Sequence, residues 1–205
     1  MTTTHFMNNT LTRRGFLAGT AASVTLLASP VFALSTDQAE ALIDKVVARI
    51  NAIINSGKSK AAMFGDFEKV FAQYADVRFI AAKTLGPPAR SASAAQMSAY
   101  SKAFQGYMSR KYGKRFREFI GGQIIVRDAR KVKSFYEVKT TAVLQGVAPF
   151  DVSFFVSDKS GKDLFFDMRI EGISLVNSEK QEIGAMLEKR GGNLDRLIAD
   201  LNKLG

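Results

Sequence analysis

The 205-residue sequence contains no cysteine, no tryptophan and a single histidine, His5. Without cysteine it can form neither disulfides nor zinc–thiolate sites, and it has no cysteine nucleophile. With no histidine after residue 5, it also lacks Ser-His-Asp and Cys-His catalysis, most zinc and copper sites, and the usual acid–base group for neutral pH. We therefore expect no metal site, no cofactor and no catalytic residue; an enzyme here would have to use carboxylates, lysine or tyrosine.

The first 33 residues contain no acidic side chain and have the order of an export signal. Arg13 and Arg14 precede an apolar run of small residues over 16–28, and Val31 and Ala33 are small enough for a signal-peptidase site. A basic start, a short apolar run and a small-residue site predict a secretory signal, and the paired arginines predict the twin-arginine type. The run is too short to span a bilayer stably. We expect cleavage near Ala33 and one exported domain over 34–205.

Positive charge dominates the chain, with a formal net charge of +10, of which +8 belongs to residues 34–205. Such a balance favours anionic partners. A basic cluster on the predicted third helix could suggest nucleic acid, but behind an export signal a membrane surface is the better explanation. The charge is also scattered along the chain, so an aid to solubility remains the alternative.

Apolar spacing of three and four residues predicts helices in the first half of the domain. One covers 36–55, capped by Ser35 or Thr36, and another covers 61–73, followed by an apolar segment over 77–85. Gly86-Pro87-Pro88 stops that segment. A long third helix over 94–119 carries an unusually aromatic stripe that includes Tyr100 and Phe104. Two further helices, starting near Ser178 and at Asn193, complete the chain.

Between the third helix and the last two helices, apolar residues recur at every second position, which is typical of strands. Four strands are predicted, over 124–126, 135–144, 147–156 and 164–170. Their connectors are short enough to require antiparallel neighbours. In the third strand, the alternation places four apolar residues on one face: Phe150, Val152, Phe154 and Val156. In the fourth strand, it places four others on one face: Leu164, Phe166, Met168 and Ile170. Helices, an antiparallel sheet and helices again predict one α+β domain.

Two strings in this order are similar to a known family. The first is Asp76-Val77-Arg78-Phe79-Ile80, continuing to Leu85-Gly86, ahead of the aromatic helix; the second runs from Phe166-Asp167-Met168 through Glu171-Gly172 to Leu175. On the basis of these two strings and the export signal, the chain resembles the MlaC/toluene-tolerance family of periplasmic phospholipid-binding proteins over about residues 36–205. It departs from the family where Phe165 or Phe166 stands in place of a frequent tryptophan.

The resemblance implies a four-stranded or slightly larger antiparallel sheet covered by the N-terminal and C-terminal helices, with an apolar cavity between them. It implies a periplasmic, non-enzymatic carrier that shuttles phospholipid between an inner-membrane ABC transporter complex and an outer-membrane lipoprotein or porin complex, with transient contact to membrane surfaces. The tails would fill the cavity, and the headgroup would lie near solvent and be recognised loosely. The candidate lining residues are Tyr100, Phe104, Tyr107, Met108, Phe150, Val152, Phe154, Leu164, Phe166, Met168 and Ile170.

Three other interpretations remain open at this stage. A carrier for a hopanoid or an aromatic solvent molecule predicts a wider, shorter cavity. A small enzyme using Tyr and Asp predicts a buried carboxylate with a raised pKa beside a tyrosine in the cavity. A structural or adaptor protein predicts a solid core with no cavity larger than a water molecule.

Overall fold

The computed structural model describes residues 1–3, 34–116 and 120–205, and the side chain of Phe116 is not among what it describes. Residues 4–33 of the predicted export signal, among them Arg13, Arg14 and Ala33, lie outside the described residues. So do the last three residues of the predicted third helix, 117–119.

Six α-helices precede and follow the sheet in the described part of the chain. They are α1 (Thr36–Ile54), α2 (Lys60–Tyr74), α3 (Val77–Leu85), α4 (Ala94–Phe116), α5 (Leu175–Glu188) and α6 (Leu194–Leu201), with a short 3-10 helix at Pro87–Arg90. The predicted helices are confirmed, and the Ser35 hydroxyl caps α1 by accepting from the Gln38 amide at 3.2 Å. Helix α5 begins earlier than predicted because Ser174 caps it. None of the helices in the described ranges is long and apolar enough to cross a membrane.

The sheet has five antiparallel strands in sequence order: β1 (Gln123–Val132), β2 (Phe135–Leu144), β3 (Val147–Ser157), β4 (Leu164–Ile170) and β5 (Ile173–Ser174). This confirms the predicted α+β class and the slightly larger sheet. The predicted first strand ended too soon. The register of β1 shifts between Val126 and Asp128, and this bulge lets the strand continue to Val132. The chain reverses at Lys133, whose φ of 56° lies in the left-handed region.

The inner face of the sheet forms one side of the hydrophobic core. Phe150, Val152, Phe154 and Val156 of β3 stand opposite buried residues of β2, as the alternation predicted. Helix α1 covers this face with an apolar stripe that includes Val46 and Ile50. The side-chain amide of Asn51 anchors α1 to β1, because it donates to the Ile124 carbonyl and accepts from the Ile124 amide, both at 3.1 Å.

The predicted alternation is wrong in the first half of β4, where the sheet contains a bulge. Val156 stands opposite Phe165, but Phe155 stands opposite Asp167, so Phe166 is an extra residue without a partner across the ladder. One extra residue reverses which side chains face inward. Phe165, rather than Phe166, therefore belongs to the inner face.

Leu164 and Phe166 consequently lie on the outer face, contrary to the prediction. The ring of Phe166 packs there against Phe135, with centroids 5.5 Å apart, and against Phe79 at 5.8 Å. After the bulge the prediction holds again, because Met168 and Ile170 stand opposite Phe154 and Val152 on the inner face.

Candidate functional site

Two adjoining cavities lie between the helices and the inner face of the sheet. The first, which we call the helix cavity, has a volume of about 90 Å³. It is bounded by residues of α1 to α5 and by two strands: Val46, Ile50, Phe67, Val70, Phe71, Ile80, Met108, Ser109, Tyr112, Gly113, Phe154, Phe165, Asp167, Met168, Leu175, Val176 and Glu179. Its lining is apolar except for a few polar side chains.

The second, which we call the sheet cavity, has a volume of about 250 Å³. Its lining comes from α1, α4 and strands β1 to β4: Ile50, Tyr112, Arg115, Ile124, Leu144, Val147, Phe150, Val152, Phe154, Met168 and Ile170. Four residues line both cavities, namely Ile50, Tyr112, Phe154 and Met168. Both spaces are much larger than the 10–15 Å³ or so that one water needs, which argues against the solid-core interpretation.

Aromatic side chains from three elements build the floor of the helix cavity. The rings of Phe154 and Phe165 meet edge to face across β3 and β4, with centroids 5.7 Å apart. Phe71 of α2 packs on Phe165 at 6.3 Å. The bulge in β4 produces this arrangement, because it turns Phe165 inward. Such contacts fix the shape of an apolar wall without adding polar atoms.

One wall of the helix cavity carries a polar network between α4 and α5. Glu179 of α5 is only 1% exposed. Its Oε1 accepts from the Lys111 ammonium at 2.6 Å and from the Tyr112 hydroxyl at 2.5 Å. Lys111 also donates to Glu182 Oε2 at 2.5 Å, and the Tyr107 hydroxyl donates to Glu182 Oε1 at 2.6 Å. The network ties α4 to α5 beside the cavity.

Burial and these contacts fix the protonation states of the network. Burial raises the pKa of Tyr112 well above its usual value, and the hydrogen bond to Glu179 raises it further. The pKa of Tyr107 is raised in the same way by burial and by Glu182. Burial lowers the pKa of Lys111, but its bonds to both glutamates outweigh that effect and raise it. At neutral pH the tyrosines are therefore neutral donors and Lys111 is charged.

This network supplies part of what the enzyme interpretation required. Glu179 is a buried carboxylate beside a tyrosine, Tyr112, on the cavity wall. The acid is a glutamate of α5, where an aspartate was expected. Its Oε1 already accepts hydrogen bonds from two donors, so Oε2 is the carboxylate oxygen that remains available to a substrate.

Six of the eleven predicted site residues line the cavities. Met108 lines the helix cavity, Phe154 and Met168 line both, and Phe150, Val152 and Ile170 line the sheet cavity. The structure brings these six together around the two adjoining cavities. Whether they contact a ligand stays a prediction.

The other five predicted residues do not line either cavity. Leu164 and Phe166 lie on the outer face of the sheet, for the reason given above. Tyr100, Phe104 and Tyr107 are buried in α4, where Tyr100 shares a hydrogen bond of 3.0 Å with Thr84 of α3 and Tyr107 bonds to α5. These three residues belong to the packing between helices.

Sequence reasoning missed several residues of the site. Ile50 and Tyr112 stand in the apolar stripes of α1 and α4, so periodicity could have suggested them. For Ser109 and Glu179 the sequence offers no such signal, because both resemble ordinary polar helix residues. Among the described residues, no group of three or more histidine, aspartate or glutamate side chains is arranged to hold a metal ion.

Comparison with known proteins adds to this geometry. A family model described as MlaC protein matches residues 40–203. Among solved structures, the chain is similar to a phospholipid-binding protein from Ralstonia solanacearum, described as a complex with a phospholipid. The two chains are 19% identical, the match covers 80% of this chain and 98% of the other, and the TM-score is 0.67. At this identity the likeness shows the fold.

Proposed function

This chain belongs to the MlaC family, and we propose that it is a periplasmic phospholipid-binding protein that holds acyl chains in the helix and sheet cavities. The observation that carries this proposal is the pair of adjoining apolar cavities, which share four lining residues. The similar protein from Ralstonia solanacearum, described with a phospholipid, supports the ligand class.

Such a carrier has to offset a large free energy, namely that of exposing two acyl chains to water. Two acyl chains of about 16 carbons, at about 0.8 kcal/mol per methylene, represent roughly 25 kcal/mol of exposure to water. The carrier must replace most of the apolar environment that the bilayer gives these chains. Cavities that enclose drug-sized ligands have volumes of roughly 300–1,000 Å³, so the helix cavity of about 90 Å³ is too small to do this alone. Lipid entry therefore has to merge it with the sheet cavity, at the four residues that they share.

One cation stands at this site in a position to meet the lipid phosphate. Arg115 lines the sheet cavity and its side chain is exposed, and no other lysine or arginine is among the described residues that line the two cavities. A guanidinium recognises phosphate oxygens well because it offers several donors in a fixed plane. We place the phosphate at this mouth of the sheet cavity.

The finer parts of the proposal concern transport. Residues 1–33 would be a twin-arginine signal removed after Ala33, and the domain would shuttle lipid, without enzymatic activity, between an inner-membrane ABC transporter complex and an outer-membrane lipoprotein or porin complex. The net charge of +8 on residues 34–205 favours brief contact with anionic membrane surfaces. The lack of cysteine, and of histidine after residue 5, supports a binding role over catalysis.

The proposal is tested by native mass spectrometry of the chain expressed in a bacterium, together with lipid extraction of the same sample. We expect an added mass of one diacyl phospholipid that is released on unfolding. Met168→Trp should abolish retention, because Met168 lines both cavities and a larger ring fills the space between them. Phe166→Trp is the matched control, since Phe166 lies on the other face of the same strand.

Two results would contradict the proposal. One is a lipid-free wild-type protein that takes up nothing from added phospholipid vesicles. The other is a folded Met168→Trp variant that retains as much lipid as the Phe166→Trp control.

A further inference from the structure

The hairpins at the two ends of the sheet differ in polarity. At one end, Lys131 and Lys133 adjoin the turn between β1 and β2, and charged residues occupy the connector between β3 and β4: Asp158, Lys159, Lys162 and Asp163. The turn between β2 and β3 lies at the other end, and the sequence has no charged residue from Thr140 to Phe150. Exposed turns are ordinarily polar, so the β2–β3 hairpin departs from the rule that the other two follow.

The tip of the β2–β3 hairpin exposes a run of apolar residues. Val147, Ala148 and Pro149 are all exposed, Val147 to 56%. Ile173 of β5, which is 67% exposed, lies at the same end of the sheet because it pairs with Ile170 at the end of β4. A single exposed apolar residue is ordinary, but several together indicate a contact surface. We call Val147, Ala148, Pro149 and Ile173 the apolar rim.

The apolar rim borders the mouth of the sheet cavity. Val147 lines that cavity, together with Leu144, its partner across the hairpin, and Ile170, the partner of Ile173. Arg115 lines the same cavity from α4 and is exposed. The cavity therefore opens between the basic end of a helix and the apolar rim, and a lipid that leaves by this mouth passes between them.

The charges beside the rim indicate what covers it. Helix α4 has Lys114 and Arg115 in its last turn, and both are exposed. Glu171 is the acid next to the rim, and its carboxylate accepts from the Asp151 amide at 2.5 Å in the β4–β5 turn. Apolar side chains beside exposed cations match the surface of an anionic bilayer. Its acyl boundary takes up the apolar side chains, and its headgroups attract the cations.

We propose that the apolar rim inserts into the headgroup–acyl boundary of an anionic phospholipid bilayer, with the cations at the end of α4 against the headgroups. The mouth of the sheet cavity then faces the membrane, and a lipid moves between bilayer and cavity without exposing its acyl chains to water. This inference rests on the proposed lipid-binding function, and it names the surface that makes the brief membrane contact. A partner protein seated on the rim is the other occupant that the experiment separates.

The experiment is co-sedimentation of the chain, expressed in a bacterium, with vesicles of dioleoyl phosphatidylglycerol and dioleoyl phosphatidylcholine in equal parts. We expect the wild-type protein to sediment with these vesicles. Ala148→Asp combined with Ile173→Asp introduces two carboxylates that oppose insertion and are repelled by anionic headgroups. Ser134→Asp combined with Ser160→Asp is the matched control, because it adds the same charge at exposed positions at the other end of the sheet. The rim variant should bind on the order of tenfold more weakly than this control.

A fluorescent reporter keeps the test open if the rim variant fails to fold. The sequence contains no tryptophan, so Ile173→Trp places a single reporter on the rim, and Ser160→Trp places one at the other end of the sheet. Vesicles with brominated acyl chains should quench the first reporter and leave the second unchanged. The quenching should disappear when the vesicles are removed, which distinguishes a docked rim from brominated lipid held in the cavity.

Retained lipid, measured by native mass spectrometry of the same proteins, separates this inference from the function on which it rests. Three results overturn the membrane contact and leave the carrier function intact: a lipid-loaded wild-type protein that does not sediment with the vesicles, a folded rim variant that binds as well as its control, and an unquenched Ile173→Trp. Each of them assigns the rim to a partner protein instead. Retained lipid on none of the proteins overturns the carrier function and, with it, the role of the rim.

Discussion

The hydroxyl of Tyr112 donates a 2.5 Å hydrogen bond to Glu179 Oε1, while the ring of the same tyrosine lines both the helix cavity and the sheet cavity. The bond therefore holds in place a side chain that stands between the two spaces. If lipid entry merges these spaces, as the proposed function requires, we expect the Tyr112 side chain to move and its bond to Glu179 to restrain that movement.

Tyr112→Phe should accordingly have two separable effects. Loss of a hydrogen bond to a carboxylate should lower the free energy of unfolding by about 1.5–3 kcal/mol. The freed ring should also speed lipid uptake, measured with a fluorescent phospholipid transferred from vesicles. Tyr107→Phe is the control, because Tyr107 loses a similar bond to Glu182 but does not line either cavity. Equal uptake rates in the two variants would remove Tyr112 from this role.

Alkaline pH should unfold the protein cooperatively. Burial raises the pKa of Tyr100, Tyr107 and Tyr112 far above the unfolded value of about 10. A pKa raised by folding contributes stability that is complete below the unfolded value and is lost as pH rises above it. Lys111, whose pKa is also raised, adds to the loss above about pH 10.4.

We therefore expect three of the five tyrosines to ionise only as the protein unfolds. Tyrosinate absorbance and circular dichroism, followed together during an alkaline titration, provide the measurement. Ionisation of all five tyrosines near pH 10, with the helical signal intact, would contradict the burial of these three hydroxyls in the folded protein.

The start of the domain contains a contact that cleavage would strengthen. The amide of Leu34 donates to Asp158 Oδ2 at 3.1 Å, and the Leu34 carbonyl accepts from the Tyr136 hydroxyl at 2.5 Å. Removal of the signal after Ala33 would turn that amide into an ammonium beside a carboxylate, which makes a stronger, charge-assisted bond.

Asp158→Asn should therefore destabilise the cleaved protein more than the uncleaved chain, by about 1–2 kcal/mol. Urea unfolding of both forms measures the difference. Asp163→Asn, an exposed acid in the same loop, should change neither form. An equal loss in both forms would show that Leu34 does not carry the new terminus.

The twin-arginine signal is tested in cells. Arg13→Lys combined with Arg14→Lys keeps the charge but removes the arginine pair, so the uncleaved chain should accumulate inside the cell. Cell fractionation follows its location, and N-terminal sequencing of the wild-type periplasmic protein should begin at Leu34. Export of the double variant at the wild-type level would assign the protein to another pathway.

Much of the fold followed from local patterns in the sequence. The spacing of Ile43, Val46 and Ile50 predicted α1, and the alternation of Val152, Phe154 and Val156 predicted the inner face of β3. Helix and strand periods are local properties, so a single sequence reveals them. The two strings around Asp76 and Asp167 also indicated the family, which the family match confirms.

The positions that sequence reasoning misplaced depend on pairing between distant segments. Period two assigned Phe166 to the inner face, but the register between β3 and β4 makes it an extra residue and turns Phe165 inward instead. The aromatic stripe of α4 likewise suggested Tyr100 and Phe104 as cavity residues. Contacts with other helices bury them away from the cavity instead.

The sequence by itself determined most of the helices and strands and the α+β order, because these depend on residue type and local spacing. The lack of cysteine, and of histidine after residue 5, is a matter of composition alone. Only the tertiary structure decided that Glu179 stands beside Lys111 and Tyr112, residues 68 and 67 positions away along the chain. Nor could spacing show that Glu179 Oε2, on a largely apolar wall, would have no hydrogen-bonding partner among the described residues. Such a site arises because α5 packs on α3 and β4, which are distant from it along the chain or fixed by the sheet, and this packing brings its glutamates within reach of α4 side chains.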